Sequence, residues 1–275
     1  MLRRIKQHFS LKRNKGIRAS KSSDILQLDR RVTLGERRLK IAEFLDQHFH
    51  STVAYGPLKG FKFDPKTWWN KKDRGGMLLG LYEQEVLNCL ASPPDTHRTF
   101  IDLGAADGYY GVGVLVNRIF DESYCFEMSH IGREVIQANA ALNHVKDRIH
   151  LRGKANPDFY FDIPAEKRAA CVLLIDIEGG EFDLLTNEVL NAFKQSIILI
   201  ELHPELVDNG EQRLKELYAR TAQYFDLKIV KTGARDLSCF PVLEQFSDDN
   251  RWLVCSESRK TLMSWLILKP RTNTV

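Results

Sequence analysis

The chain has no apolar run near the roughly 18 residues that a bilayer-spanning helix needs. Its longest, such as Cys171–Ile175 and Trp265–Leu268, are far shorter, which excludes a membrane-spanning helix. No apolar stretch follows the basic residues after Met1 either, so a secretory signal is not expected. Cysteine is sparse and scattered: Cys89, Cys125, Cys171, Cys239 and Cys255 form no CxxC pair and stand near no histidine cluster. That pattern argues against structural zinc and for a reduced, cytoplasmic setting. Acidic residues are missing from positions 1–21, where eight of the 40 Lys and Arg are found. Beyond that tail, 32 basic residues face 36 acidic ones, so the body carries a net charge of −4 and the basicity belongs to the terminus. What remains is ordinary: 275 residues, 43% hydrophobic and 28% charged, a composition that excludes disordered and fibrous classes.

The composition divides the chain into a basic tail (1–22), a helical extension with an aromatic and basic loop (23–76), and a main domain (77–275). In the tail, Leu2, Ile5 and Phe9 recur at helical spacing among Arg3, Arg4 and Lys6. Such a segment fits a short amphipathic helix on an anionic membrane surface; a solvated terminus or an organelle transit peptide has the same composition. Leu34, Leu39, Ile41, Phe44 and Leu45 set among charges predict one or two helices within 24–50. Residues 55–76 bring together Phe61, Phe63, Trp68 and Trp69 with glycine and lysine. Core or lid packing is the expected use, with a substrate-facing loop or nucleic-acid surface as alternatives.

From residue 77 onward, short β-branched and apolar runs alternate with helical stretches, the signature of βαβ units. Strands are expected at Thr99–Leu103, Ser123–Glu127, Arg148–Leu151, Cys171–Asp176, Ile197–Leu202, Leu227–Val230 and Trp252–Cys255, with helices at Ile131–Ala141, Glu181–Phe193 and Glu211–Tyr224. The last two strands have no clear helix between them and should pair antiparallel. The fold class expected is therefore α/β: a Rossmann-like, doubly wound, seven-stranded sheet, mostly parallel, with one antiparallel strand near the C-terminus and an N-terminal helical extension.

The first strand runs into Asp102-Leu103-Gly104-Ala105-Ala106-Asp107-Gly108-Tyr109-Tyr110-Gly111. Small residues in a strand-to-helix turn let backbone N–H groups approach a ligand closely. The dinucleotide fingerprint asks for glycine at relative positions one, three and six, but counting from Gly104 these hold Gly, Ala106 and Tyr109. The turn instead resembles motif I of class I S-adenosylmethionine-dependent methyltransferases, with alanine in place of the middle glycine. Nineteen residues after Gly108 stands Glu127, at the end of the second strand, where a carboxylate can accept both hydroxyls of a ribose.

Four stretches together resemble the FkbM-type branch of these enzymes over roughly residues 61–256. They are Gly80-Leu81-Tyr82-Glu83, Phe100 to Tyr110, Cys125-Phe126-Glu127 leading to Asn139 and Asn143, and Leu174-Ile175-Asp176-Ile177-Glu178-Gly179-Gly180-Glu181. The resemblance implies an O-methyltransferase acting on a hydroxyl of a saccharide, glycan intermediate or related small metabolite, with S-adenosylmethionine as cofactor. Asp107 stands where the family often has Asn, and the extension before residue 60 has no family counterpart. Glu83, Asp102, Gly104, Ala105, Asp107, Gly108, Tyr109, Glu127 and Asp176 are the cofactor-binding candidates.

A sugar hydroxyl must lose its proton during attack, which calls for a carboxylate, a histidine or a metal ion at the ends of the fourth and fifth strands. Asp176, Glu178 and His203 are the catalytic candidates there, and Tyr82 and Glu181 the substrate-binding ones. Asp176, Glu201 and His203 form an oxygen-rich donor set for a divalent ion of the Mg²⁺ or Mn²⁺ kind. The partners expected are a small-molecule or glycan acceptor and, through residues 1–21, the inner face of a membrane. A nucleic-acid methyltransferase is the second reading, opposed by the acidic body. A non-catalytic cofactor-binding scaffold is the third.

Overall fold

The computed structural model describes residues 32–66, 69 and 71–271. The basic tail with Leu2, Ile5 and Phe9, and Trp68 in the aromatic loop, lie outside the described residues. The elements run α1 (Leu34–His48), α2 (Arg74–Leu78), α3 (Gln84–Leu90), β1 (Thr99–Leu103), α4 (Tyr109–Val116), β2 (Glu122–Phe126), α5 (His130–Leu142) and β3 (Ile149–Arg152). The second half continues with α6 (Ala165–Arg168), β4 (Cys171–Ile175), α7 (Glu181–Leu184), α8 (Asn187–Ala192), β5 (Ile197–Glu201), α9 (Gly210–Thr221), β6 (Phe225–Lys231), α10 (Asp248–Val254) and β7 (Ser264–Pro270).

One seven-stranded sheet is built in the order β3-β2-β1-β4-β5-β7-β6. Strands β1 to β5 pair parallel, and β7 enters antiparallel to both β5 and β6. The chain leaves β1 toward β2 and β3 on one side and returns to β4 on the other, so a crevice opens past the carboxyl ends of β1 and β4. Successive residues of a strand point to opposite faces. Leu174 and Leu199 accordingly enter one buried cluster with Phe100 and Trp265, while Leu173, Ile175, Ile198 and Ile200 enter the other. With both faces covered, β4 is apolar along its whole length, as buried parallel strands are.

Two sequence expectations need correction. The run Trp252–Cys255 is not a strand: it falls in and just after α10, which begins behind Ser247 with Asp248 and Asp249 in its first turn. Acids there complement the helix dipole, and this outweighs the β-forming tendency of Trp, Leu and Val. The seventh strand is Ser264–Pro270 instead, and it does pair antiparallel with β6. The helix expected over Glu181–Phe193 is two short helices, because Leu185 leaves helical geometry and the Thr186 hydroxyl caps a new start by accepting from the Val189 N–H at 3.3 Å.

The extension packs into the same body. Thr33 and Glu36 close a capping box at the start of α1, whose Ile41 and Leu45 are buried, and Arg38 reaches Asp73 and Ser258. Phe61 and Phe63 are core residues, not a stacking surface. Asn139 of α5 and Asn143, which caps its C-terminus, fasten this segment: Asn139 Oδ1 accepts from Asp64 N at 2.7 Å, and Asn143 exchanges two bonds with the Lys62 backbone at 2.8 and 2.7 Å. No described helix is long and apolar enough to cross a membrane.

Candidate functional site

The β1–α4 turn is built by conformations that side chains disfavour. Gly104 has φ +91°, and a Cβ there would lie 1.8 Å from the Asp176 carbonyl oxygen. Only glycine therefore lets β1 and β4 run out side by side into the crevice. Ala106 (φ +46°) and Gly108 (φ +77°) complete the reversal that starts α4. Asp102 anchors the turn from below: its Oδ2 accepts from the Gly111 N–H at 3.0 Å, and burial pushes the carboxyl up to about 7. Glu127, directly after β2, closes the far side. One of its oxygens accepts from Ala106 N at 2.9 Å and the other from Ser129 N at 2.6 Å. Each carboxyl oxygen has two lone-pair positions, so one on each is left over.

Beside this turn lies a cavity of about 550 Å³. The candidates Gly104, Ala105 and Tyr109 form its floor, and Asp102, Glu127 and Asp176 supply carboxylates. Tyr82 and Glu83 come in from the segment before α3, and Trp69 reaches it from the aromatic loop. Met128 after β2 and Lys154 to Pro157 after β3 line the same cavity. Six carboxylates (Glu83, Asp102, Glu127, Asp176, Glu178 and Asp183) line this space against one lysine, Lys154. Acidic side chains therefore outnumber basic ones in its polar lining.

Several site candidates are placed elsewhere. Asp107 and Gly108 are not in the cavity wall; Asp107 is buried, with Oδ1 accepting from the Trp69 N–H at 3.3 Å and its carbonyl accepting from Asn139. The left-handed residues on either side turn its side chain toward the aromatic loop. Glu181 cannot meet a substrate, being fully buried, with Oε1 accepting from the His203 N–H at 2.8 Å. Glu83 does face the cavity, but both oxygens have protein partners: Arg259 donates to one at 2.5 Å and the Tyr110 hydroxyl to the other at 2.8 Å. It is a fixed wall, with its carboxyl raised by burial and by nearby Asp176 against the pull of Arg259.

Asp176, Glu178 and His203 do converge. His203 is 4% exposed, and its Nε2 faces Glu178 Oε2 at 3.6 Å, Glu201 Oε2 at 3.6 Å and Asp176 Oδ1 at 3.8 Å. Asp176 and Glu178 line the cavity, with His203 behind them. Burial pushes the imidazole down, but Glu181, Asp176 and Glu178 outweigh it and hold the pKa above 6.5. Glu201, offered by the sequence as a metal ligand beside Asp176, is paired with Arg259.

The residues that sequence reasoning missed are Arg259, Ala106 and Tyr110. Arg259 sits in the loop between α10 and β7 and joins Glu83, Glu201 and Glu257, while Arg235 bridges Glu257 to Glu85. No motif marks Arg259, because its partners lie 2, 58 and 176 positions away. Ala106 and Tyr110 stood inside the recognised turn, but their roles depend on which way each group points.

No family model matches the chain, and no curated protein matches it. Among solved structures, an O-methyltransferase from Bacillus cereus in complex with SAH is similar at 11% identity and a TM-score of 0.47, covering 91% of this chain and 97% of that one. The O-methyltransferase TomG from Streptomyces achromogenes, involved in tomaymycin synthesis and in complex with SAM, has 11% identity and a TM-score of 0.47 over 86% of this chain and 90% of that one. A ribosomal protein L11 methylase from Lactobacillus delbrueckii subsp. bulgaricus has 14% identity and a TM-score of 0.43 over 77% and 86%.

Proposed function

We propose that the chain is an S-adenosylmethionine-dependent O-methyltransferase acting on a hydroxyl of a saccharide, glycan intermediate or related small metabolite. The observation that carries this reading is Glu127. Its carboxylate is fastened by two backbone N–H groups, borders the glycine turn, and keeps an acceptor position on each oxygen beside a 550 Å³ cavity. Such a carboxylate after the second strand is suited to a vicinal diol. The excess of carboxylates suits a sulfonium, and the volume lies within the roughly 300–1,000 Å³ of small-molecule sites.

When bound, S-adenosylmethionine supplies an electrophilic methyl group. The chain's own part is to align the acceptor and to lower the cost of deprotonating it. Trp69 and Tyr82 offer aromatic walls, and Asp176 and Glu178 offer hydroxyl acceptors in the same cavity. An apolar C–H face with hydroxyls around it, as a saccharide presents, matches that combination. The Asp176–Glu178–His203 cluster is where the acceptor hydroxyl is held and loses its proton. The FkbM-type assignment is part of this proposal and rests on the Asp176-to-Glu181 block. So do a cytoplasmic location and membrane contact through residues 1–21, which rest on composition. The nucleic-acid reading gains nothing from a cavity lined with carboxylates, and the convergence of Asp176, Glu178 and His203 argues against a non-catalytic scaffold.

Calorimetric titration of S-adenosylhomocysteine tests the reading without knowledge of the acceptor. Wild-type protein should bind it, and Glu127→Ala should weaken binding about 10- to 100-fold, the worth of hydrogen bonds to a charged group. Glu127→Gln, which keeps one acceptor oxygen, should fall between them. Absence of binding to wild type would overturn the proposal.

A further inference from the structure

We propose that Asp176, Glu178 and His203 form a binding site for a first-row divalent cation of the Mn²⁺ class. The inference rests on reading the cavity as the acceptor site and states how the cluster at its base works. One donor atom from each of the three side chains falls within a sphere in which all lie within 4.8 Å of one another. The two measured separations from His203 Nε2, 3.6 Å to Glu178 and 3.8 Å to Asp176, exceed hydrogen-bond length. They fall between the roughly 3.0 and 4.2 Å that separate neighbouring and opposite ligands held about 2.1 Å from one octahedral ion.

The independent sign of a ligand is His203 itself. It is 4% exposed, and its Nδ1 is buried with no hydrogen-bond partner within 3.5 Å among the described residues. A buried ring nitrogen without a hydrogen bond is costly, and Nε2 of the same ring faces carboxylate oxygens of Asp176, Glu178 and Glu201 at 3.8, 3.6 and 3.6 Å. Asp176 Oδ1 is likewise buried without a partner. Behind the ring, Nδ1 lies 3.6 Å from Oε1 of fully buried Glu181, which also accepts the His203 backbone N–H. A carboxylate behind the imidazole is the usual support of a metal-bound histidine, fixing the ring so that its other nitrogen faces the ion.

The ligand set differs from the Asp176, Glu201 and His203 expected from sequence. Glu201 is committed to Arg259, and a dication beside that guanidinium would be repelled. Glu178, held in a left-handed conformation (φ +51°), takes its place and leaves the cavity side open. A mixed imidazole and carboxylate set favours Mn²⁺ over Mg²⁺. An ion there polarises the acceptor hydroxyl where it enters the cavity.

The test is Mn²⁺ titration of the full chain, with free ion read by electron paramagnetic resonance. Wild type should bind about one Mn²⁺, and both His203→Ala and Glu178→Gln should weaken binding by about 10-fold or more. Glu178 is exposed enough that its variant should fold normally, which circular dichroism checks. No Mn²⁺ binding by wild type, or equal binding by both variants, overturns the site. Displacement of Mn²⁺ by equimolar Mg²⁺ overturns the choice of ion. S-adenosylhomocysteine titrated in parallel separates the two proposals: its binding without Mn²⁺ leaves the methyltransferase reading and removes the ion. Mn²⁺ binding without it does the reverse.

Discussion

Asp102 is a carboxyl whose protonation is tied to folding. It is 3% exposed, bonded only to the Gly111 N–H, and burial pushes it up to about 7 from 3.8. Between these values the folded protein keeps a proton that the unfolded chain has released, so the contribution to stability is present in acid, declines as pH rises, and levels off above about 7. Asp102→Asn retains an acceptor for Gly111 and has no proton to lose. Relative to wild type it should gain about 2 kcal/mol between pH 5.5 and pH 8, at roughly 1.4 kcal/mol per pKa unit. Urea unfolding at the two pH values checks this, and an unchanged difference would show that Asp102 is ionised in the fold. Gly104→Ala should lose more than about 3 kcal/mol by the same assay, since its Cβ meets the Asp176 carbonyl at 1.8 Å. Both residues were legible in the sequence, because the turn chemistry that needs them is local. Glu181 was not. Spacing alone cannot say that a short helix after two glycines turns its acid inward under His203.

At the scale of elements, alternation of apolar runs and helices marked β1 to β6 to within a residue or two, because buried parallel strands are continuous apolar runs. The last strand was ambiguous. Trp252–Cys255 and Trp265–Leu268 are both apolar, and what separates them is the acidic first turn ahead of one and sheet pairing for the other. Nor did sequence tell how the extension attaches, since Asn139 on α5 and Asn143 at its C-cap stand at ordinary helical spacing. Their amides hold backbone at 62–64 and 107, which ties the aromatic loop to the glycine turn. Asn139→Ala would leave the Asp64 N–H and the Asp107 carbonyl without that partner, so a loss of about 2–3 kcal/mol is expected. In a chain of this size that lowers the melting temperature by several degrees. Cofactor affinity should fall with it, because Ala106 and Glu127 share the same turn. A variant with wild-type melting behaviour would mean that the extension is held by Phe61 and Phe63 alone.

Over the whole molecule, Arg259 binds together parts of the chain that meet only after folding. It joins Glu83 ahead of α3, Glu201 at the end of β5 and Glu257 in its own loop, and so fastens the cavity-lining Glu83 to the end of β5 and to the loop before β7. Burial raises both Glu83 and Glu201, and Arg259 opposes it. Removing one member of a buried ionic group costs about 3–5 kcal/mol, because the partners are left charged and unpaired, whereas removing all members together often costs little. Arg259→Met should therefore destabilise by that amount. The loss should be smaller in acid, where Glu83 and Glu201 take up protons, and larger as pH rises and they must ionise without a partner. Adding Glu83→Gln and Glu201→Gln to Arg259→Met should recover most of the stability while the cavity loses its fixed wall. Thermal unfolding of the single and triple variants at pH 6 and pH 8 measures both effects. Equal losses in the two variants would mean that Arg259 acts through packing of its stem, and that the three segments are held together by the apolar core alone.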